Sequence, residues 1–272
     1  MFNERKVTAI ILAGGLSSRY RNSRHLGDRD TSTEPSKQFA LLAGKPLINY
    51  SVDTFAASVM VDSLILVVPA AEREIFENDI YPSISVAAKN KLHSIVAGGS
   101  SRLSSAANAI KVIAEDDCLV AIHDAARPLI SQALIEESIR AADANDGAAL
   151  AMPITDTLGF APAAEVTAAP RYLNKSLPRS AYYAMQTPQV FPVKLLREAF
   201  AWAMEGAEQA GESGQTSNDN FTDESSIVLA HNPQLKIAIV AGSSENMKLT
   251  HPVDKDILEA ILKSSNINDS GD

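Results

Sequence analysis

Residues 7–19 read VTAIILAGGLSSR, and this stretch decides the fold. VTAIIL is a short run without a polar face, the pattern of a strand covered on both sides. It passes without a spacer into Ala13-Gly14-Gly15. Small residues therefore stand at the carboxyl end of a strand, where α/β sheets hold ligands and backbone amides approach phosphates closely. The run is neither GxGxxG nor GxxxxGK[ST], so neither nucleotide signature is invoked, and a plain tight turn reads equally well from these residues alone.

Working outward, comparable apolar runs recur at 63–68, 92–96, 118–123, 147–152 and 235–240. Between them, 46–57, 71–78, 102–114, 131–143, 193–205, 222–230 and 252–263 carry apolar residues at helical spacing. The alternation predicts βαβ units: an α/β, Rossmann-like, doubly wound and mainly parallel sheet. Trp202 and its neighbours in 193–205 read as a core-facing stripe.

Two stretches break the rhythm. YRNSRHLGDRDTSTEPS at 20–36 is polar and too long for a tight turn, so a mobile loop that closes over nucleotide is expected. Residues 153–186 leave the pattern through PITDTLGF and return through LPRSAYYAMQ, as a projecting β-arm would. The expectation is one domain over 1–272, with an arm at about 153–186 inserted for homodimer contact. Residues 211–220 read as a flexible loop and 264–272 as a frayed tail.

The 272 residues carry a formal charge of -9, which disfavours nucleic-acid backbones and anionic membranes as partners. Cys118 is the single cysteine, which excludes an internal disulfide and fits a reducing cytoplasm. The five histidines form no HExxH pair, so a zinc site is not expected. Met1 to Lys6 is polar, with no signal-peptide core, and no apolar run approaches membrane-spanning length.

With an acidic chain, any phosphate ligand must meet local cations. Arg19 just after the glycine turn and Lys37 in Ser36-Lys37-Gln38-Phe39 suit a triphosphate. Asp124 ends the apolar run CLVAIH, where a carboxylate can hold Mg²⁺ or another divalent cation against phosphates. Arg127 and Arg179 offer bidentate guanidinium groups to a phosphate monoester, with the hydroxyls of Thr157 and Thr187 at the remaining positions.

These residues fall in an ordered series: LAGGLSSR at 12–19, SKQF at 36–39, GGSSR at 98–102, HDAARP at 123–128, TDT at 155–157, QTPQVF at 186–191, TDE at 222–224 and NMKLT at 246–250. The series resembles the 2-C-methyl-D-erythritol 4-phosphate cytidylyltransferase family from Ile10 to about Leu262. The resemblance implies a nucleotidyltransferase fold and transfer of CMP from CTP to a polyol phosphate with release of pyrophosphate. It makes Arg19, Lys37 and Lys248 catalytic cations. Ala13, Gly14, Gly15, Gly99, Ser105 and Asp124 would contact CTP, with Asp124 holding the metal. Arg127, Thr157, Arg179 and Thr187 would hold the acceptor's phosphate, part of that set coming from a second subunit.

Ser101 stands where the family commonly has an acidic residue. The arm also lacks the basic residue after Asp156-Thr157 and the aspartate before Arg179. Ribitol 5-phosphate cytidylyltransferases are similar and share a tyrosine at the position of Tyr183, so ribitol phosphate stays open as acceptor. A non-catalytic nucleotide-binding protein is the reading from another class.

Overall fold

The computed structural model of the chain describes residues 5–14, 36–162, 172–213 and 221–269. The chain runs through β1 (Lys6–Leu12), a small hairpin of β2 (Leu41–Leu42) and β3 (Lys45–Pro46), α1 (Leu47–Ala57) and β4 (Ser63–Val68). It continues with α2 (Val86–Lys91), β5 (Leu92–Ala97), α3 (Arg102–Lys111), β6 (Cys118–Asp124), α4 (Gln132–Asp143) and β7 (Gly147–Pro153). β8 (Leu158–Phe160) and β9 (Lys175–Leu177) precede β10 (Tyr183–Pro192), α5 (Val193–Ser213), α6 (Glu224–His231), β11 (Ile237–Ala241) and α7 (Val253–Asp269).

Seven strands pair in the order β11-β7-β10-β6-β1-β4-β5, and only β10 runs antiparallel to its neighbours. Their two-residue period sorts side chains to two cores. From β1, Val7, Ala9 and Ile11 join one cluster with α1 and α4, while Ile10 and Leu12 join the other with α3 and α5. β4 divides likewise, with Leu64, Leu66 and Val68 on the first side and Ile65 and Val67 on the second. A strand so placed needs apolar residues at every position, and its sequence supplies them.

From β1 the chain moves outward through β4 to β5, then returns to lay β6 on the other flank of β1. The strand order therefore reverses between β1 and β6, and the crevice at such a reversal is where open α/β sheets bind ligands. Leu12 and Asp124 are paired in register at that edge. β10 enters it from the opposite direction, bringing Gln186 and Thr187 beside the carboxyl end of β6.

The expected strands are all present within a residue or two at each end. β10 was not expected, because 183–186 was assigned to the arm and no strand was placed over 187–192. The strand holds because its buried polar groups are paired: Gln189 Oε1 accepts from Ser225 N and Oγ at 2.8 and 2.9 Å, and its Nε2 donates to Asp223 at 2.9 Å. The register shift between Met185 and Gln189 accommodates Pro188, which has no N–H for the ladder.

Several other expectations are corrected. α2, capped by the Ser85 hydroxyl, was not expected, and 71–78 is part of a succession of short helical turns over 70–83. α5 runs through Gly206 to Ser213, so 211–213 belongs to a helix; α7 runs to Asp269 through the expected frayed tail. Trp202 is 43% exposed, edge-on to Phe221 and tilted against His231, while Leu196, Ala199, Phe200 and Ala203 form the buried stripe of α5. Gly15, Arg19 and the expected loop at 20–36, apart from Ser36, lie outside the described residues.

Candidate active site

Asp124 is the centre of the crevice. Its Oδ1 accepts from Arg102 Nε at 3.2 Å and its Oδ2 from Lys248 Nζ at 2.6 Å. The other two nitrogens of the Arg102 fork sit on both oxygens of Glu224, at 2.6 and 2.9 Å. Four elements are thus tied at one point: the end of β6, the starts of α3 and α6, and the segment after β11. Burial alone would raise the Asp124 carboxyl, but the Arg102 and Lys248 cations outweigh it and hold the group well below the usual carboxylate range. Burial pushes the fully enclosed Glu224 carboxyl up, against the pull of Arg102.

Arg102 was quoted in the GGSSR motif without a role of its own. A signal was available, since a cation in the first turn of a helix opposes the macrodipole and needs a carboxylate nearby. Ser101 serves as the N-cap of α3 in a capping box with Ser104, which accounts for a serine where the family commonly has an acid.

Behind Asp124 lies a second network. The Thr187 hydroxyl accepts from the Asp124 backbone N–H at 3.1 Å and lies 3.0 Å from His123 Nδ1. His123 Nε2 is 3.0 Å from the Arg127 carbonyl oxygen. Burial lowers the His123 ring to about 4. Arg127 donates to the carbonyls of Asn246 and Met185 at 2.9 and 3.2 Å, and its buried Nε has no partner among the described residues. Asn246 donates to Gln186 Oε1 and Thr187 O at 3.1 and 3.0 Å, so the NMKLT segment is anchored to QTPQ. His123, Gln186 and Asn246 carry these bonds, and nothing in periodicity marks them.

Lys37, nearly buried, donates from Nζ to the Leu249 carbonyl at 2.5 Å, and Leu249 N donates to Ala126 O at 2.8 Å. One short segment therefore places both Lys37 and Lys248 around the 124–127 turn. On the other side, a Cβ at Gly98 would stand 2.9 Å from Gly14 Cα, so the glycine turns after β1 and β5 touch backbone to backbone. Ala13 is buried beside them and donates to Val67 O at 2.8 Å. Ser105 Oγ accepts from Gly99 N at 3.0 Å and shapes the same floor.

The structure thus gathers Ala13, Gly14, Lys37, Gly99, Ser105, Asp124, Arg127, Thr187 and Lys248 along one sheet edge. Thr157 and Arg179 stand apart, exposed at the base of the β8–β9 arm, where Arg179 donates to Thr155 O.

A doubly wound sheet with opposed glycine turns and cations arranged about one carboxylate at the reversal point defines a nucleotidyltransferase. The chain belongs to the family described as IspD, 2-C-methyl-D-erythritol 4-phosphate cytidylyltransferase, which matches residues 8–264. It is 31% identical over 263 residues to the enzyme of that name from Geotalea uraniireducens, covering 96% of this chain and 98% of the relative. It is 33% identical over 261 residues to that from Clostridium acetobutylicum, covering 95% and 98%. Its fold matches that of the 4-diphosphocytidyl-2C-methyl-D-erythritol synthase from Anaerococcus prevotii with a TM-score of 0.73 at 23% identity, over 95% of this chain and 96% of that one. Among the described residues no helix is long and apolar enough to cross a membrane.

Proposed function

We propose that the chain transfers the cytidylyl group of CTP to 2-C-methyl-D-erythritol 4-phosphate, releasing pyrophosphate, in the cytoplasmic supply of isoprenoid precursors. The observation that carries this reading is the pairing of Lys248 with Asp124, with Lys37 and Arg127 held beside it by the 246–249 segment, at the crevice of an IspD-family sheet. An oxygen of the acceptor's phosphate attacks the α-phosphorus of CTP; the new P–O bond forms as the bond to the β-phosphate oxygen breaks. The phosphate monoester is already ionised, so no general base is required.

Lys37 and Lys248, with Arg19, stabilise charge spread over the phosphoryl oxygens. Arg127, with donors left on its guanidinium, takes the acceptor's phosphate. Thr157 and Arg179 complete that subsite from the arm of a second copy, because in their own protomer they lie outside the Asp124 cluster. Phe160, Tyr172 and Leu173 expose apolar surface on the arm at 42%, 79% and 72%, which supports an arm-mediated homodimer. Gly14, Gly99 and Ser105 floor the nucleotide, with Ala13 beside them; the family resemblance adds Gly15, outside the described residues.

Asp124 fits a divalent cation: each of its oxygens has one protein donor and keeps a further lone pair, and Mg²⁺ takes one or two carboxylates plus phosphates and water. When bound, Mg²⁺ would neutralise triphosphate charge. Among the described residues no group of three His, Cys, Asp or Glu side chains offers an all-protein cage.

The test is Mg²⁺-dependent pyrophosphate release from CTP with 2-C-methyl-D-erythritol 4-phosphate and D-ribitol 5-phosphate compared. The methylerythritol acceptor should be preferred. Preference for ribitol phosphate would reassign the acceptor, and CTP binding without release would make the chain a non-catalytic binder.

A further inference from the structure

α7 follows the NMKLT segment and rests on the two stretches of chain that carry Lys37 and Lys248. Its Leu258 is fully buried in a small apolar cluster with Leu249 from one stretch and Leu42 and Leu47 from the other. The second stretch begins at Lys37. Gln38 O accepts from Ile48 N at 2.9 Å and Ala40 O from Leu47 N at 3.0 Å, so this chain is folded back on the start of α1. Leu249 serves both sides: its side chain lies in the cluster, its carbonyl accepts from Lys37 Nζ, and its N–H donates to Ala126 O.

A polar contact holds the same segment. A carboxylate in the first turn of a helix commonly caps that helix's own N–H groups. Asp254 instead takes two N–H groups that precede α7: its Oδ2 accepts from Thr250 N and from His251 N, both at 2.7 Å. Bonds to an ionised acceptor are the strong ones. Thr250 Oγ1 in turn donates to Lys248 O at 3.2 Å, so the chain on either side of Leu249 is fixed.

We infer that Asp254 is a positioning residue for the transfer, the point at which α7 fixes both lysines. With Asp254 bonded, Leu249 O stays under Lys37 Nζ and Lys248 Nζ stays 2.6 Å from Asp124. A shift of this backbone by an ångström would carry both cations away from the phosphoryl oxygens whose charge they stabilise. The inference rests on the proposed transferase reading and deepens it by naming what holds its cations in place.

The test is pyrophosphate release by Asp254→Ala, measured well below its melting transition. The kcat should fall about a hundredfold, the cost of a small misplacement, while KM for CTP stays within about twofold because Gly14, Gly99 and Ser105 are untouched. Asp254→Asn keeps a carbonyl oxygen for the two N–H groups and should recover most of the loss. In a Lys248→Ala chain, Asp254→Ala should cost much less than in the parent, because one of the cations it positions is gone. Near-parental kcat for Asp254→Ala would overturn the inference, and so would the same fractional loss in both backgrounds, which marks a general effect on folding. Hydrogen exchange at the Leu249 N–H needs no substrate and should speed by about tenfold in Asp254→Ala. Unchanged exchange would overturn the inference with the transferase reading intact, whereas a parent chain that releases no pyrophosphate would overturn that reading and leave the exchange to decide whether Asp254 holds the segment.

Discussion

The crevice and the arm are built in opposite ways. Around Asp124, Glu224, His123, Thr187 and Gln189 are buried and each is held by partners from other elements, so the site is organised before any ligand arrives. On the arm, two three-residue strands carry Thr157 and Arg179 in the open with apolar surface beside them. The hydrogen-bond network of the first region closes within one chain, whereas the arm carries Thr157 and Arg179 exposed and outside that network. Buried polar networks are costly when incomplete, so damage at the crevice should appear as lost stability and damage on the arm as lost activity.

Glu224→Ala is the strongest way to break this contrast. It strands the Arg102 guanidinium and should cost about 3–5 kcal/mol in urea unfolding. A cost below about 1 kcal/mol would mean the crevice is not preorganised by that pair.

Acid is a milder probe of the same region. The unfolded His123 ring protonates near 6.5 and the folded ring only near 4, so between those values the unfolded state binds more protons. Stability should therefore fall as pH drops through that window, by up to about 3 kcal/mol, and be regained above it. Asp124, with its depressed carboxyl, adds loss in the same direction at lower pH, and Glu224, with its raised carboxyl, opposes it. Comparing His123→Gln with the parent chain in urea melts at several pH values isolates the His123 share.

Arg179→Ala sharpens the contrast from the other side. It should leave stability within about 0.5 kcal/mol and lower kcat/KM by about a hundredfold. Mixing it with a Lys37→Ala chain should restore part of the activity if the arm serves a partner's site; no recovery would place Arg179 in its own protomer's site.

Gly206→Ala calibrates the scale away from both regions. A Cβ there meets nothing within 4 Å in the middle of α5, so the change should stabilise by about 0.5–1 kcal/mol. Loss of stability would show that the helix needs glycine at that point.

Gly206 also illustrates what sequence reading misses. The expected helix covered only 193–205, ending just before it, and 211–220 was expected as a loop because of its polar composition; α5 runs continuously over 21 residues. Trp202 matched the apolar spacing yet stands at the edge of the buried stripe, since periodicity gives a face without its centre. QTPQ hid β10 because the strand is held by side-chain partners on α6 and by Asn246, far away in the chain.

The sequence by itself determined the parallel strands, the glycine turns and the order of charged motifs. Burial on both faces demands unbroken apolar runs, and a phosphate site in an acidic chain demands cations beside small residues. Only the tertiary structure decided that Arg102 and Glu224 bracket Asp124, that Lys37 and Lys248 are placed by one segment, and that the Thr187 hydroxyl meets both the Asp124 N–H and the His123 ring. Those facts depend on which atoms from distant segments meet, and no local pattern encodes that.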